Sequence, residues 1–380
     1  MHSAARPSSP TDARTPPPRP PTASNLLGLD YRAEAVRMGP PAIPIIDAHC
    51  HVGGHGAVRI FDEARRAYGV DRVYSMTPLQ QAQSVRDVMG DAVRFIAVPN
   101  WSDKDRGHAF RQGYLDHIQE FHDRFGSRML KIWASPRFRE LLPDGATDLW
   151  EIDAPWRVKA CELGEKLGMM YMVHVADPDT WFATRYRDAS KYGTKRHQYT
   201  ALERMLDRFG APWIGAHMGG WPEDLDFLDG LLDRHPNLHL DTSATKWMIR
   251  ELSRHPRQRL IDFLTRWHGR ILFGSDIVAQ DDHLQPAKAT TSPMADLADS
   301  PQSAFDLYAS RYWALRTMWE SAHSAPANIA DPDLMMANPA NHTAMSPAHL
   351  EGRSLPRELL ESLYAGAARS VVERWNGDHP

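Results

Sequence analysis

Between Ile43 and Trp375 the chain alternates short apolar segments with longer segments of helical periodicity. The short segments predict strands at Ile43–His49, Arg72–Met76, Val93–Val98, Met129–Trp133, Met169–His174, Trp213–His217, Leu238–Asp241 and Ile271–Gly274. The longer ones predict helices at Asp105–Phe125, Trp156–Leu167, Gln198–Phe209, Glu223–Arg234, Gln258–His268 and Pro356–Trp375. About eight strands, each followed by a helix, predict an α/β fold of the (β/α)8 TIM-barrel type. A doubly wound open sheet, which uses a similar alternation with fewer units, is the alternative.

Two stretches lie outside this alternation. Residues 1–40 are predicted to be a disordered Pro-rich tail, because the part up to about Thr22 is rich in Ser, Pro and Arg and has almost nothing to bury. A processed targeting peptide is the alternative for this part. Residues 41–380 are predicted to form the barrel, with an insertion at about 277–353 after strand eight. The insertion contains Phe305–Ser321, which is predicted to be an amphipathic helix and interpreted as a lid or a dimer contact.

Composition excludes several classes of partner. The formal net charge is −4, so no excess of basic residues predicts a nucleic acid or an acidic membrane as partner. The two cysteines cannot form a disulfide framework and fit a reducing compartment. No apolar run of about 18 residues predicts a transmembrane helix, and the N-terminus lacks the apolar segment of a secretory signal. We therefore expect a cytoplasmic protein whose partner is a small molecule, with a homodimer as an open alternative.

Polar residues of metal-binding type end four of the predicted strands. His49 and His51 end the first strand, and alternation along a strand places residues i and i+2 on the same side. His174, His217 and Asp276 follow the fifth, sixth and eighth strands. A single histidine after a strand is more often a hydrogen-bonded structural residue. In a barrel, however, all these strand ends meet at one mouth, so together they predict one metal site.

At this point the chain resembles a known family. Histidines and an aspartate after strands one, five, six and eight resemble the amidohydrolase superfamily. The strings IDAHCH, GAHMGG, FGSD and LPRELLESLYAGAARSV resemble its amidohydrolase-related branch, which includes aminocarboxymuconate-semialdehyde and resorcylate decarboxylases beside lactone and amide hydrolases. The resemblance covers about Ile43 to Val372. One departure is that the family's terminal helix usually carries Gly-Asn where this chain has Gly366-Ala367.

The resemblance implies a ligand set and two catalytic roles. His49, His51, His174 and Asp276 match ligands of one divalent metal ion, for which Zn²⁺ is the default and Mn²⁺ is compatible. His217 matches an acid/base or polarising group near the metal. Lys131, near the end of strand four, has a minor alternative role as a carboxylated lysine that bridges two metals.

The expected activity is hydrolysis of a small amide, lactone or ester by a metal-activated water, with Asp276 and His217 as catalytic residues. A non-oxidative decarboxylase with the same ligands is the alternative, and a non-catalytic barrel scaffold is the alternative of another class. Cationic and indole side chains on loops at the same mouth are candidate substrate contacts and favour an anionic or aromatic substrate: Trp133, Arg137, Trp181, Arg185 and Lys246.

Overall fold

The computed structural model describes residues 20–286 and 294–378, so the tail predicted for residues 1–19 lies outside the described residues. Nine parallel strands form two sheets, of order β3-β2-β1-β9 and β4-β5-β6-β7-β8. Their bounds are β1 Ile45–Val52, β2 Val70–Ser75, β3 Val93–Phe95, β4 Met129–Trp133, β5 Met170–His174, β6 Trp213–Gly215, β7 Leu238–Asp241, β8 Ile271–Leu272 and β9 Ile277–Ala279. An antiparallel pair, β10 Ser324–Ala330 and β11 Pro347–Glu351, lies apart from them.

The two parallel sheets join at both ends into a closed barrel. On one side, Ala97 beyond β3 bridges to β4, where the Lys131 N–H donates to the Ala97 carbonyl at 2.9 Å. On the other side, the Ala48 N–H donates to the Phe273 carbonyl at 2.9 Å, which links β1 to the end of β8. Because these hydrogen bonds leave no open edge between the sheets, the predicted (β/α)8 barrel is confirmed and the open-sheet alternative is excluded.

The helices lie between the strands as the periodicity predicts. Their bounds are α1 Tyr31–Met38, α2 Ala57–Ala67, α3 Leu79–Met89, α4 Arg106–Ala109, α5 Gln112–Phe125, α6 Pro155–Lys166, α7 Asp179–Ala183, α8 Ala189–Tyr192, α9 Lys195–Arg208, α10 Ala216–Gly219, α11 Leu225–Arg234, α12 Thr245–Leu252, α13 Arg257–Arg266, α14 Pro301–Glu320, α15 Pro332–Ala337, α16 Arg357–Glu361 and α17 Arg374–Asp378. Two π-helical stretches, Ser362–Gly366 and Arg369–Glu373, connect α16 to α17 in one continuous helix. No helix within the described ranges has both the length and the apolarity needed to cross a membrane.

The predicted boundary of the tail at residue 40 is wrong. Residues 31–38 form α1, which begins at the N-cap residue Asp30, whose carboxylate accepts the N–H groups of Arg32 and Ala33. Tyr31 is 1% exposed and its hydroxyl donates to the Ser24 carbonyl at 2.8 Å. A capped helix with a buried aromatic anchor contributes to the core even though Pro-rich sequence precedes it.

The predicted insertion also needs two corrections. Residues 277–279 form β9, which pairs with β1 and belongs to the barrel, so the insertion begins later than residue 277. The helix predicted at Phe305–Ser321 is α14, and every residue from Ala304 to Trp319 is buried. It packs against α1, α2 and α12, and a helix buried on all sides has no free apolar face with which to act as a lid or a dimer contact.

Candidate metal centre

Three of the predicted ligands meet at the C-terminal mouth of the barrel. Asp276 Oδ1 lies 3.4 Å from His49 Nε2 and 3.2 Å from His51 Nε2. Asp276 stands between β8 and β9 with a positive φ of 57°, and its N–H donates to the His49 carbonyl at 2.8 Å. This left-handed residue breaks the eighth strand and brings its carboxylate to the end of β1.

The spacing of these atoms fits one divalent cation. Ligand atoms about 2.0–2.2 Å from a tetrahedral ion are about 3.3–3.6 Å from one another, close to the two distances just given. The ligand atoms of His49, His51 and Asp276 lie within 4.8 Å of one another. Two imidazoles and one carboxylate are the donor set that Zn²⁺ and similar cations take in catalytic sites.

The ring of His49 is held in the orientation that a metal ligand needs. Its Nδ1 lies 2.8 Å from Asp241 Oδ2 and 3.0 Å from Ser243 Oγ, and all three side chains are buried. When Nδ1–H donates to Asp241, the lone pair of Nε2 points toward Asp276. Burial would raise the pKa of Asp241, but the His49 ring beside it holds that pKa well below its usual range. Asp241 is therefore the anionic partner of a histidine that is a predicted metal ligand.

Sequence reasoning did not identify Asp241 or Ser243 as site residues. The position of Asp241 in the sequence was the available signal. Asp241 stands at the end of an apolar strand segment, Leu238–Asp241, in the same way that Asp276 follows the apolar segment of β8. A second group of ligand-type atoms within 4.8 Å consists of His49, His217 and Asp241. Both oxygens of Asp241 already accept hydrogen bonds from His49, His217 and Ser243. We therefore interpret this second group as one that orients the histidines, and the group around Asp276 as the candidate metal site.

His217 is placed by an unusual backbone turn at the end of β6. His217 and Met218 have positive φ values of 58° and 52°, and the His217 N–H donates to Asp241 Oδ1 at 2.9 Å. Its Nδ1 lies 2.8 Å from Ser243 Oγ, whose own hydroxyl is close to Asp241 Oδ1. If Nδ1 of His217 carries the ring proton and donates it to Ser243, then Nε2 of His217 has a free lone pair and can accept a hydrogen bond. Burial and the nearby His174 hold the pKa of His217 well below its ordinary value.

His174 lies beside the cluster and is in neither of the two groups. Its ring centroid is 4.5 Å from that of His217, but its Nε2 lies 3.1 Å from Asp177 Oδ1. Burial would raise the pKa of Asp177, and the hydrogen bond from His174 brings it below its usual value. Three of the four predicted ligands are thus brought together, and His174 as the fourth stays a prediction.

Lys131 is a cationic residue on β4 that interacts electrostatically with Asp241 and Asp276. It is 6% exposed, and its ammonium has no hydrogen bond or ion pair with any residue in the described ranges. Burial lowers the pKa of Lys131 to about 8, against the opposing charges of Asp241 and Asp276. The position of Lys131 is compatible with a carboxylated lysine that bridges two metal ions. It is equally compatible with an ordinary charged lysine at the mouth of the barrel.

Four of the candidate substrate contacts lie around strands four and five. Trp133 stacks on His174 at 6.1 Å and 20°, next to the histidine cluster. The Trp181 indole donates to Asp333 at 3.0 Å. Arg137 lies over the Trp181 ring at 5.7 Å, whereas Arg185 is committed to an ion pair with Glu140 at 2.7 Å and is less available to a substrate.

Lys246 lies in the first turn of α12. The next residue, Trp247, has its ring centroid 6.1 Å from that of His217 and donates to Glu223 at 2.9 Å. Lys246 itself makes no hydrogen bond or ion pair with residues 20–286 or 294–378.

One acidic side chain holds the loop that follows His51. Asp281 accepts the backbone N–H groups of His55, Gly56 and Ala57 at 2.8, 2.9 and 2.9 Å. Gly54 has a φ of 79°, and a Cβ there would lie 2.3 Å from Asp281 Oδ1, so this close approach requires glycine. Asp281 therefore joins the segment after β9 to the segment that carries His49 and His51.

The class of protein that this fold and site define is a (β/α)8 barrel with a histidine and carboxylate cluster at its C-terminal mouth. No protein-family profile matches the sequence, and no curated protein matches it. The fold is similar to an uncharacterised TIM-barrel protein from Bordetella bronchiseptica, at 14% identity over 88% of this chain and 99% of that one, with a TM-score of 0.45.

Two further solved structures have similar folds. D-hydantoinase (dihydropyrimidinase) from Thermus sp. has 13% identity over 87% of this chain and 70% of that one, with a TM-score of 0.45. 2,6-Dihydroxybenzoate decarboxylase from Rhizobium has 14% identity over 84% of this chain and 99% of that one, with a TM-score of 0.38. These likenesses concern the fold alone.

Proposed function

We propose that this protein is a metal-dependent hydrolase of the amidohydrolase type that acts on an amide, lactone or ester of a small molecule. The observation that carries the proposal is the approach of His49 Nε2 and His51 Nε2 to one oxygen of Asp276 at 3.4 and 3.2 Å. The buried pair of His49 and Asp241 strengthens it, because metal-bound histidines usually donate their second N–H to a carboxylate.

His49, His51 and Asp276 would hold the cation, with His174 as the proposed fourth ligand. A divalent cation bound there supplies a polarised carbonyl and a water of lowered pKa. Zn²⁺ suits the two imidazoles, and Mn²⁺ is compatible with the carboxylate.

The side chains of this chain provide the proton transfers. Burial would raise the pKa of Asp276, but the imidazoles of His49 and His51 beside it hold that pKa well below its usual range, so Asp276 is ionised at neutral pH and is the group that would take the proton of the water. His217 is neutral and, with Nδ1–H directed to Ser243, offers Nε2 as a second acceptor. It can stabilise a developing oxyanion as a hydrogen-bond donor only after it has taken up a proton.

A decarboxylase is the second candidate, and one observation favours it. The Trp133 indole lies parallel to the His174 ring beside the cluster, which provides a flat apolar surface for an aromatic acid. In this candidate Asp276 or His217 would first take up a proton from solvent water and would then give it to the carbon that loses carbon dioxide.

Metal content and product analysis test these proposals together. We expect the purified wild-type protein to contain about one equivalent of Zn²⁺ or Mn²⁺ by elemental analysis, and His51→Ala to contain little. His268→Ala is the matched control, because His268 is exposed beyond the end of α13. Wild-type protein without metal would support a scaffold and reject the enzyme, whereas His51→Ala with full metal would reject His51 as a ligand.

The two activities are separated on a panel of lactones, amides and aromatic acids. Appearance of a new carboxylate from a lactone or amide supports the hydrolase. Release of carbon dioxide from an aromatic acid, with no hydrolysis, rejects the hydrolase in favour of the decarboxylase.

A further inference from the structure

Two cationic side chains, the buried Arg311 and the partly buried Lys246, lie on neighbouring helices and form no ion pair with a carboxylate in the described ranges. Arg311, in the middle of α14, is 8% exposed, and its one side-chain hydrogen bond within the described ranges runs from Nη1 to Ser310 Oγ at 2.9 Å. Lys246 lies on α12, which packs against α14. Burial and the positive charge of Arg311 lower the pKa of Lys246 to about 8, against the opposing charges of Asp331 and Asp333.

The nearest acidic residues are committed to other partners. Asp331 Oδ2 is 2.5 Å from Arg250 Nη1, and its Oδ1 accepts the Asp333 N–H at 3.2 Å. Asp333 Oδ2 accepts the Trp181 indole N–H at 3.0 Å. A buried cation without a close counter-charge destabilises the fold, and an anion between the two cations would relieve this cost.

Lys246 is flanked by residues that contact the metal centre. Thr245, which precedes Lys246, donates from Oγ1 to the carbonyl of Ser275, the residue before Asp276, at 3.0 Å. The Trp247 ring on the other side of Lys246 is 6.1 Å from the His217 ring. The residues on both sides of Lys246 therefore lie next to parts of the metal centre.

The first turn of α12 adds hydrogen-bond donors. Its N-cap residue Ala244 has a left-handed conformation, with φ 64°, and no side chain that caps the helix. The N–H groups of this eight-residue helix and its dipole therefore favour a negative charge near Lys246.

We propose that Lys246, Arg311 and the first turn of α12 form a subsite for a carboxylate group of the substrate. This inference rests on the proposed function and adds that the substrate carries a carboxylate away from the bond that is cleaved. A planar guanidinium and an ammonium match a carboxylate, and the charges of Asp331 and Asp333 disfavour a dianion such as phosphate. Since Arg311 lies on α14, the segment after the eighth strand contributes to substrate specificity.

Benzoate binding to the metal-loaded protein, measured by titration calorimetry, tests the subsite. We expect Lys246→Met to weaken benzoate binding by about tenfold or more, and Lys246→Arg to restore most of the affinity. Lys166→Met is the matched control, because Lys166 is an exposed lysine at the far end of α6. All three variants should keep their metal, because neither lysine is a ligand.

Two further measurements separate the subsite from the metal. Benzoate should still bind after chelation, and its affinity should fall between about pH 7 and about pH 9.5 as Lys246 loses its proton. Arg311→Lys keeps the charge and should bind benzoate, whereas Arg311→Met should lose binding; the circular dichroism of both must match the wild type. If Arg311→Met does not fold, the Lys246 variants alone decide.

The outcomes distinguish the subsite from the proposed function. Equal benzoate affinity in the wild type and Lys246→Met, with full metal content in both, would overturn the subsite and leave the hydrolase proposal intact. Tighter binding of inorganic phosphate than of benzoate would also overturn it. Loss of benzoate binding in Lys246→Met, in a protein that holds no metal, would keep the subsite and reject the hydrolase.

Discussion

His49 and Asp241, 192 residues apart in sequence, meet at 2.8 Å between Nδ1 and Oδ2, and both are almost fully buried. Asp241 also accepts the N–H of His217, so a single carboxylate orients two histidines of the site. This relationship makes the ligand cluster a rigid part of the barrel.

Replacing Asp241 tests this role directly. We expect Asp241→Asn to lower the metal affinity about 10- to 100-fold while the ligand atoms themselves remain, because the orienting charge beside His49 is lost. Competition with a fluorescent chelator measures the effect. Asp207→Asn is the control, since Asp207 contacts His235 at 3.4 Å on the surface. Unchanged affinity in Asp241→Asn would show that the pair serves the fold and not the metal.

His174→Ala decides whether the fourth predicted ligand holds the ion. We expect this variant to lose most of its metal and its activity and to remain folded, because the His174 side chain is 18% exposed at the end of a strand. Elemental analysis and circular dichroism measure the two outcomes. A variant with full metal content would assign His174 to its contacts with Asp177 and Trp133 instead.

The loop after His51 should depend on one carboxylate for its stability. Asp281→Ala removes the acceptor of three backbone N–H groups and should lower the free energy of unfolding by about 1.5–3 kcal/mol. Asp282→Ala, at the exposed neighbouring position, should change it by no more than about 0.5 kcal/mol. Urea denaturation at neutral pH measures both. Equal effects of the two substitutions would contradict the assigned role of Asp281.

A partly buried histidine on β7, His239, should make stability depend on pH. Burial, with the charge of Arg270, lowers the pKa of His239 to about 4, below the value of about 6.5 in the unfolded chain. As pH falls from about 6.5 to about 4, the unfolded state takes up a proton that the folded state does not, so stability is lost in this window. His239→Gln should flatten the pH dependence of urea denaturation there. A variant with the same acid sensitivity as the wild type would sink this prediction.

The local pattern of the chain was sufficient to predict the barrel, and three of the ligands that it predicts, His49, His51 and Asp276, lie close together in the structure. Strand alternation places His49 and His51 on one side, and the strand ends at His174, His217 and Asp276 can be read one segment at a time. The closure of the barrel then confirms the fold, because parallel strands in register bring those ends to one mouth.

What the pattern could not decide depends on contacts between distant segments. Asp241 pairs with His49, and Lys246 lies near Arg311, although these residues are far apart in the sequence and no periodic pattern connects them. His174 is close to Asp177 in the sequence, but the rotation of its side chain toward Asp177 also leaves no periodic signal. α14 shows the same limit, because it is polar enough to be predicted as amphipathic and is nevertheless buried once α1, α2 and α12 pack around it. Local sequence determines which backbone hydrogen bonds a segment makes, whereas tertiary packing decides which polar groups share a buried site.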